Sequence, residues 1–306
     1  MKNILIAILL LSSFAAIAQD TTGLKSKINY CYNLNKQRDT ALTAQAKKLL
    51  VFAQLLPNSE EAVRIYTLIG RGFLHVRELD SCPKYFNLAY KNVGSRVSAD
   101  AEAHLNLSSG WTDYAFGKTT SAMQKYSQAF KLYSKVGDPI KTAWVLNNMT
   151  QVMFLQKNYA KALEFAQKAV DITSKSSDSL TYAYNVQTLG EVNMEMGKHQ
   201  EALKQFNISG KILTNAKIWT ELALNYIKLN KCYYNLKQYN AAIKSGLLAD
   251  SLIKKYDIKF YTGFNSGYLA DAYLAIKDYN KSIYHLERAL ADFKQSEQQD
   301  FEPEIY

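Results

Sequence analysis

Small and apolar residues recur at helical spacing along most of the chain, and their arrangement repeats every 40 residues. One column of small residues comprises Cys82, Ala122, Ala162, Ala202, Ala242 and Ser282. A second column, seven residues later, comprises Ala89, Ala129, Ala169, Ser209, Ala249 and Ala289. A third, twelve residues before the first, comprises Gly70, Gly110, Thr150, Gly190, Asn230 and Ala270. All three columns keep register over six copies without an insertion or a deletion.

These columns predict pairs of packed helices. A small side chain is needed where two helices cross closely, and larger apolar side chains at helical spacing fill the space beside the crossing. Dipeptides that favour turns precede the second helix of each predicted pair, at Gly117-Lys118, Lys157-Asn158, Gly197-Lys198, Lys237-Gln238 and Lys277-Asp278. One pair cannot bury its apolar face alone, so we expect neighbouring pairs to stack.

One copy carries a known signature almost complete, in Leu189-Gly190, Gly197, Ala202, Phe206 and Ser209. This segment resembles the tetratricopeptide repeat, and the neighbouring copies match it at their small residues and at Tyr159 and Tyr239. The period of 40 differs from that family's usual 34, and its early Trp is absent. The resemblance implies an all-α fold, a right-handed solenoid of antiparallel helix pairs.

The repeat phase divides the chain into four parts. Residues 63–290 are predicted to form six repeats, with boundaries at 63–102, 103–142, 143–182, 183–222, 223–262 and 263–290. Residues 19–62 are predicted to form a degenerate first repeat or a helical cap, which ends in a loop and helix start at Pro57-Asn58-Ser59-Glu60-Glu61. Residues 291–306 are expected to be a polar helix end and tail, which would give the last repeat the polar outer face that terminal repeats need.

The first 18 residues have the order of a secretory signal peptide. Lys2 precedes a short apolar run, and Ala16-Ile17-Ala18 offers a small-x-small cleavage site. Cleavage after Ala18 would leave an exported chain, periplasmic or secreted, that begins at Gln19. No Cys follows the cleavage region closely, which argues against a lipid anchor.

Composition narrows the function classes further. The four prolines and thirteen glycines are few for 306 residues, which favours long helices over a turn-rich β fold. The net charge of +10 comes mostly from scattered Lys, which is typical of solvated helix faces, and a nucleic-acid partner is not expected for an exported chain. Cys31, Cys82 and Cys232 fit no metal motif. The spacing favours buried thiols but leaves a Cys31–Cys82 disulfide open.

The resemblance also suggests where a partner would bind. Tetratricopeptide arrays present the first helix of each pair on the concave side, and these positions carry aromatic rings with amides and charges between them. We predict a protein- or peptide-binding groove lined by His104, Trp111, Tyr114, Trp144, Asn147, Gln151, Phe154, Tyr184, Gln187, Lys231 and Tyr234. Rings at helical spacing are also typical of a helix core, so both interpretations stay open here.

No catalytic constellation, cofactor motif or metal-ligand spacing accompanies the repeats. The four His residues stand singly, and no Gly-rich phosphate loop or nucleophile elbow is present. We therefore expect a non-enzymatic, exported scaffold without cofactor that binds a protein or peptide segment. Two alternatives remain: a stand-alone or truncated sensory ectodomain of a bacterial regulator, and a surface glycan-binding protein in which Trp111, Trp144 and Tyr184 stack on sugars.

Overall fold

A computed structural model of the protein describes residues 23–36, 39–76, 78–258 and 261–298. Within these ranges the chain forms fifteen α-helices, one short 3-10 helix and no β-strand. Consecutive long helices are joined by short turns and pack side by side. This confirms the predicted all-α fold class of helix pairs. The predicted signal peptide, its cleavage site after Ala18 and the end of the predicted tail, residues 299–306, lie outside the described residues.

The chain divides into two compact units, with the boundary between Asp138 and Pro139. The helices of the first unit are α1 (Leu24–Lys36), α2 (Ala41–Lys47), α3 (Leu50–Leu55), α4 (Glu60–His75), α5 (Cys82–Lys91), α6 (Ala99–Ala115) and α7 (Thr119–Val136), with the 3-10 helix Leu79–Ser81 before α5. Helix α4 is central, since α1, α2, α3, α5 and α6 all contact it.

Helix α4 begins where the sequence predicted. The Ser59 hydroxyl accepts a hydrogen bond from the Ala62 amide at 3.1 Å, which satisfies one of the unpaired N–H groups of the first turn. Glu60 and Glu61 follow in that turn, where the helix dipole favours negative charge. The described part of the region predicted as a degenerate repeat or cap contains the three short helices α1–α3, whose Ile28, Leu42 and Phe52 join the core around α4.

The second unit contains four hairpins of similar helices. They are formed by α8 (Pro139–Leu155) and α9 (Tyr159–Thr173), α10 (Ser179–Glu195) and α11 (His199–Ala216), α12 (Trp219–Asn235) and α13 (Tyr239–Tyr256), and α14 (Thr262–Ala275) and α15 (Tyr279–Gln298). The second helices of the hairpins begin at Tyr159, His199, Tyr239 and Tyr279, at intervals of the predicted period. Each second helix also packs against the first helix of the next hairpin.

The small-residue columns lie at the helix crossings, as the sequence predicted. Every member of the three columns is buried. The five predicted turns are present, and their first residues, Gly117, Lys157, Gly197, Lys237 and Lys277, all have positive φ. Helices α4, α6, α8, α10 and α12 begin three or four residues before the starts that the columns predicted, for example at Ser179 rather than at residue 183, and α14 begins one residue before. The columns locate helix crossings, and the helix ends are set by caps and turns.

The three cysteines are buried free thiols, on α1, α5 and α12. The Cys31–Cys82 disulfide that the sequence left open is therefore not formed. Burial raises the pKa of Cys31, and it raises the pKa of Cys82 and of Cys232 to about 12. These thiols stay protonated at neutral pH and act as small apolar side chains of the core.

The polar outer face expected from residues 291–306 stays a prediction, because residues 299–306 lie outside the described residues. The outward side of α15 is not polar, because Tyr279, Ile283, Leu286 and Leu290 are each at least half exposed there. The polar residues that suggested a capped end follow Leu290, whereas these apolar positions precede it.

None of the described helices is long and apolar enough to span a membrane.

Candidate functional site

The predicted groove residues of the first unit lie on α6 and are held by neighbouring side chains. His104 meets the Tyr32 ring edge-on, with ring centroids 5.2 Å apart. The Tyr32 hydroxyl accepts a hydrogen bond from Arg64 at 2.9 Å, and Arg64 also pairs with Asp100 at 2.9 Å. Glu60 completes this ion-pair cluster. His104 therefore sits beside a fixed charged network that links α1, α4 and α6.

The other two predicted residues of α6 are also partly covered. The Arg71 guanidinium lies over the Trp111 ring, 5.5 Å from its centroid, and it donates a hydrogen bond to Asn35 at 3.1 Å. Tyr114 is half-buried, and this burial raises the pKa of its hydroxyl. In the first unit the predicted residues thus mostly fill space between helices. A shallow depression of about 450 Å³ elsewhere in this unit, lined by Glu78–Ser81 and Phe116, contains none of them.

The second unit exposes aromatic rings from its first helices. Trp144 on α8 is 39% exposed, and Tyr184, at the equivalent position of α10, is 36% exposed. The Trp144 indole N–H donates to the Thr181 hydroxyl at 3.3 Å, and Thr181 is itself held by the Asp178 carboxylate. The indole is therefore oriented by α10 while much of its ring surface faces solvent.

Phe264 extends the same column on α14. It is 45% exposed and packs edge-on against Phe293. Leu274, also on α14, is exposed and lies at the repeat position that Phe154 occupies on α8 and Tyr234 occupies on α12. The predicted set omitted both residues, although their places in the repeat marked them as equivalents of Trp144 and Phe154.

Polar side chains join the first helices of the second unit beneath and beside these rings. The Asn147 amide donates to Asn185 at 3.1 Å and to Thr188 at 3.2 Å, which ties α8 to α10. Gln187 is buried, and its side-chain oxygen accepts from Ser209 and Asn225, each at 3.4 Å. Gln187 is therefore placed between helices and not on the open face.

Charged residues on the same helices are paired across the repeat boundary. Lys231 donates to Glu195 at 2.8 Å, and Lys228 donates to Glu191. Burial works to lower the pKa of Lys231, but its hydrogen bond with Glu195 and the negative charge there raise that pKa overall. These pairs join α10 to α12 and leave the face between the rings with balanced charge.

The remaining predicted residues lie toward the C-terminal ends of α8 and α12. Phe154 contacts Tyr159 edge-on, with centroids 5.5 Å apart, and Tyr234 contacts Tyr239 with centroids 5.7 Å apart. Gln151 is half-exposed on α8. In each of these aromatic pairs, the ring before the turn packs on the ring after it, so the pair stabilises the hairpin as well as bordering the open face.

Among the described residues, no group of three His, Cys, Asp or Glu side chains is placed to hold a metal ion. What the second unit does offer is an apolar column, here called the ring column, made of Trp144, Tyr184 and Phe264. Hydrogen bonds, ion pairs and ring contacts of the surrounding helices fix it.

The repeat geometry places the protein in a known structural class. Solved structures with this arrangement are tetratricopeptide-like helical-repeat proteins, and the chain has their fold. No protein-family model matches the chain.

Particular similarities can then be named. A Signal Transduction ATPase with Numerous Domains protein with a tetratricopeptide repeat sensor, from Pyrococcus horikoshii, superposes with a TM-score of 0.75 at 15% identity, covering 91% of this chain and 43% of that one. A Rap protein complexed with competence and sporulation factor gives a TM-score of 0.70 at 15% identity, covering 92% and 79%.

A curated relative was also found by sequence. Response regulator aspartate phosphatase I of Bacillus subtilis (strain 168) is 23% identical over 250 residues, which cover 77% of this chain and 63% of that protein. The match therefore spans less than two thirds of the relative's length, and at this identity the relative's activity does not transfer with the fold.

Proposed function

We propose that the protein is an exported, non-catalytic scaffold that binds a protein or peptide segment on the ring column of its second unit. The observation that carries this proposal is the exposure of three equivalent rings, Trp144, Tyr184 and Phe264, on first helices. The Rap structure, which contains competence and sporulation factor, supports a protein or peptide ligand for this fold.

Physical reasons favour binding at these rings. Aromatic side chains bury large areas, and interface hot spots are enriched in Trp and Tyr. The Trp144 ring is already oriented by its hydrogen bond to Thr181, so a partner would not have to bear the full entropy cost of fixing it. Because the neighbouring Glu191 and Glu195 are paired with Lys228 and Lys231, the partner is expected to be apolar or aromatic rather than highly charged.

A peptide selection tests the proposal. The purified protein is used to enrich binders from a random peptide library, and the affinity of an enriched peptide is then measured by calorimetry. We expect Trp144→Ala with Tyr184→Ala to weaken binding by about 2–4 kcal/mol, because two hot-spot rings are removed. Both rings are partly exposed, so helical content measured by circular dichroism should not change.

A matched control separates this effect from general surface changes. Ile208 is 42% exposed on α11, the second helix of the hairpin that carries Tyr184. Ile208→Ala should bind the peptide as the unchanged protein does. Equal binding by the double ring variant, or failure of the library to yield any specific peptide, would argue against the ring column as the binding site.

Export is a separate part of the proposal and needs its own test. The basic start, the apolar run and the Ala16-Ile17-Ala18 site support a cleaved signal peptide. Mass spectrometry of the protein recovered from the exported fraction of a bacterial host should find a chain that begins at Gln19 or a neighbour. Retention of the intact chain, beginning at Met1, in the cytoplasmic fraction would contradict export.

A sensory role is the second candidate, favoured by the similarity to the tetratricopeptide repeat sensor of the signal-transduction ATPase. Hydrogen exchange distinguishes the two. A scaffold should gain protection from the enriched peptide only in helices α8, α10, α12 and α14 of the second unit. A sensor should also change exchange in the first unit, at helices that do not contact the peptide.

A further inference from the structure

A row of buried asparagines crosses the first helices of the second unit. Asn185, Asn225 and Asn265 occupy one repeat position on α10, α12 and α14, and all three are buried. The Asn185 side-chain oxygen accepts a hydrogen bond from Asn147 of α8 at 3.1 Å, and the Asn225 amide donates to Gln187 of α10 at 3.4 Å. Hydrogen bonds between side chains thus join α8 to α10 and α10 to α12.

The third asparagine of the row lacks the equivalent partner. Ile227 stands at the repeat position of Asn147 and Gln187, and it packs into an apolar cluster. The Asn265 amide donates to the Gly246 carbonyl of α13 at 3.0 Å. The Asn265 side-chain oxygen is buried and finds no hydrogen-bond partner among the residues that the structure describes. The row therefore ends in an unpaired acceptor where the last hairpin meets the preceding one.

Ser266, the next residue of α14, is in the same situation. Its repeat position is occupied in the first unit by Asn106, whose side-chain oxygen accepts a hydrogen bond from Tyr90 at 3.1 Å. Asp250 stands at the position of Tyr90 in the last repeat boundary, and it pairs with Arg288 of α15 at 2.5 Å. The Ser266 hydroxyl is fully buried, and within the described part of the chain it has no hydrogen-bond partner.

Asn230 of α12 is covered by the same helix. It is fully buried, and neither its amide nitrogen nor its oxygen has a hydrogen-bond partner in the described ranges. A Cβ added at Gly246 would lie 2.5 Å from the Asn230 amide nitrogen and 2.6 Å from Leu269 of α14. Both side chains therefore reach the same point beside α13, and withdrawal of α14 would uncover the Asn230 amide.

The preceding boundary of the second unit is bonded more fully. Asn225 also has one buried oxygen without a partner in the described segments. Beside it, however, Lys228 pairs with Glu191 and Lys231 pairs with Glu195, which joins α12 to α10. Unpaired buried polar side chains are thus concentrated where α14 packs against α12 and α13.

The last hairpin, in contrast, is well connected within itself. The Ser282 hydroxyl of α15 donates to the Ala270 carbonyl of α14 at 3.0 Å, and Asp292 accepts from the Gly263 amide at 2.9 Å. An isolated helix pair cannot bury its apolar face, so a hairpin that leaves its neighbour should lose protection along both of its helices together.

We propose that the hairpin α14–α15 opens from α13 as one unit while the rest of the second unit stays folded. In the closed state, Asn230, Asn265 and Ser266 hold buried polar atoms without a partner. In the open state water binds these atoms, which lowers the free energy of opening. The apolar cluster that contains Ile227 and Ile253 opposes the opening, so the closed state predominates.

Opening would change the ring column, because α14 carries Phe264. Withdrawal of α14 separates this ring from Trp144 and Tyr184, so a partner that contacts all three rings would bind the closed state better and shift the equilibrium toward it. This consequence for binding rests on the proposed function. The opening itself needs no partner, and it is therefore tested on the protein alone.

Hydrogen exchange of the purified protein, followed by mass spectrometry at neutral pH, tests the opening. Peptides from α14 and α15 should exchange with one common opening constant, larger than that of peptides from α10 to α13. Exchange of the last hairpin at the rate of α12 and α13 would overturn the proposal. So would protection that decreases gradually toward the end of α15, without a common opening constant.

A pair of serine variants tests the cause of the opening. Ser266→Ala removes an unpaired buried hydroxyl with little change in volume, so it should lower the opening constant of α14 and α15 by about tenfold. Ser282→Ala is the matched control, because it lies in the same hairpin, is also buried, and loses a hydrogen bond to Ala270. Its last hairpin should open as often as that of the unchanged protein or more often. A Ser266→Ala protein that opens like the unchanged protein, or two variants that slow opening equally, would overturn the role of the unpaired groups.

Discussion

Glycines on first helices and aromatic rings on second helices occupy complementary space in this protein. In three copies a glycine faces a ring sixteen residues later, in the pairs Gly70–Phe86, Gly110–Tyr126 and Gly190–Phe206. In a fourth copy the sizes are exchanged, since Asn230 stands at the glycine position and Gly246 at the ring position. Close packing at the crossing thus constrains the combined volume of the two facing side chains rather than the size of either one.

This complementarity predicts the effect of a single methyl group. An added Cβ at Gly190 would lie 2.8 Å from the Phe206 ring, closer than such atoms approach in proteins. Gly190→Ala should lower the free energy of unfolding by about 1–3 kcal/mol, despite the better helix propensity of Ala. Urea unfolding followed by circular dichroism measures the change.

Gly267 on α14 provides the control, because a Cβ there would meet no atom within 4 Å. Gly267→Ala should raise the free energy of unfolding by up to about 1 kcal/mol through helix propensity alone. Equal effects of the two substitutions would show that the crossing at Gly190 is not tightly packed.

The residue types at the repeat positions predicted where helices cross better than they predicted which side chains are exposed. The small columns were predicted because a close crossing excludes larger side chains whatever surrounds it. The side of each first helix that stays open was harder to predict, since Gln187 and Trp144 occur only a few positions apart in the repeat and one is buried while the other is exposed. Burial there depends on Ser209 and Asn225, polar partners on other helices that periodicity does not identify.

Turns between helices carry strain in a regular pattern. The turn within a hairpin requires a left-handed residue, and Lys237 fills that position with φ of 59° where Gly197 stands in the preceding copy. Residues other than Gly adopt this conformation at a cost of about 1–2 kcal/mol. Lys237→Gly should therefore raise the free energy of unfolding by about 1 kcal/mol, after the added freedom of the unfolded chain is counted.

Chemical denaturation measures this gain, and a second glycine substitution checks its cause. Lys244 is exposed within helix α13, so Lys244→Gly should destabilise the protein by about 1 kcal/mol. A destabilised Lys237→Gly variant would mean that the Lys237 side chain contributes more than its backbone conformation costs.

The last hairpin should respond to acid through His285. This side chain is buried on α15 and stacks on Tyr273 with ring centroids 5.5 Å apart. Burial lowers the pKa of His285, and nearby Arg288 and Lys254 lower it further while Asp250 opposes them. The unfolded chain, with a pKa of about 6.5, binds this proton more readily, so this contribution to stability is complete above that pH and declines as the pH falls below it.

Unfolding free energies at about pH 7.5 and about pH 5.5 measure the decline. His285→Phe keeps an aromatic ring against Tyr273 and removes the titrating group, so its stability should fall less between the two values. An identical fall in the unchanged protein and the variant would show that other groups cause the acid sensitivity.

At the scale of the molecule, the chain consists of two units that share one repeat period. The sequence did not predict the boundary between Asp138 and Pro139, because the small-residue columns continue through it without a change in composition. Contacts in the second unit occur within each hairpin and between successive hairpins. Stability there should therefore be close to a sum of hairpin and nearest-neighbour contributions.

Removal of one complete hairpin tests this organisation. Deleting residues 179–218, which contain α10 and α11, would place α12 after α9 in the same register. The shortened protein should fold, with proportionate helical content and a lower stability, because one set of stacking contacts is lost. Circular dichroism and thermal unfolding report the outcome, and an unfolded product would contradict nearest-neighbour stacking.

The central claim is that a protein or peptide segment binds on the ring column, and site-specific photocrosslinking tests it most directly. A photoreactive phenylalanine analogue is placed singly at Trp144, Tyr184 or Phe264, and at Ile208 and Leu248 as exposed positions on second helices. With a library-selected peptide, the account predicts crosslinks from the three ring positions and none from the two controls. Crosslinks from the controls, with none from the ring column, would contradict it.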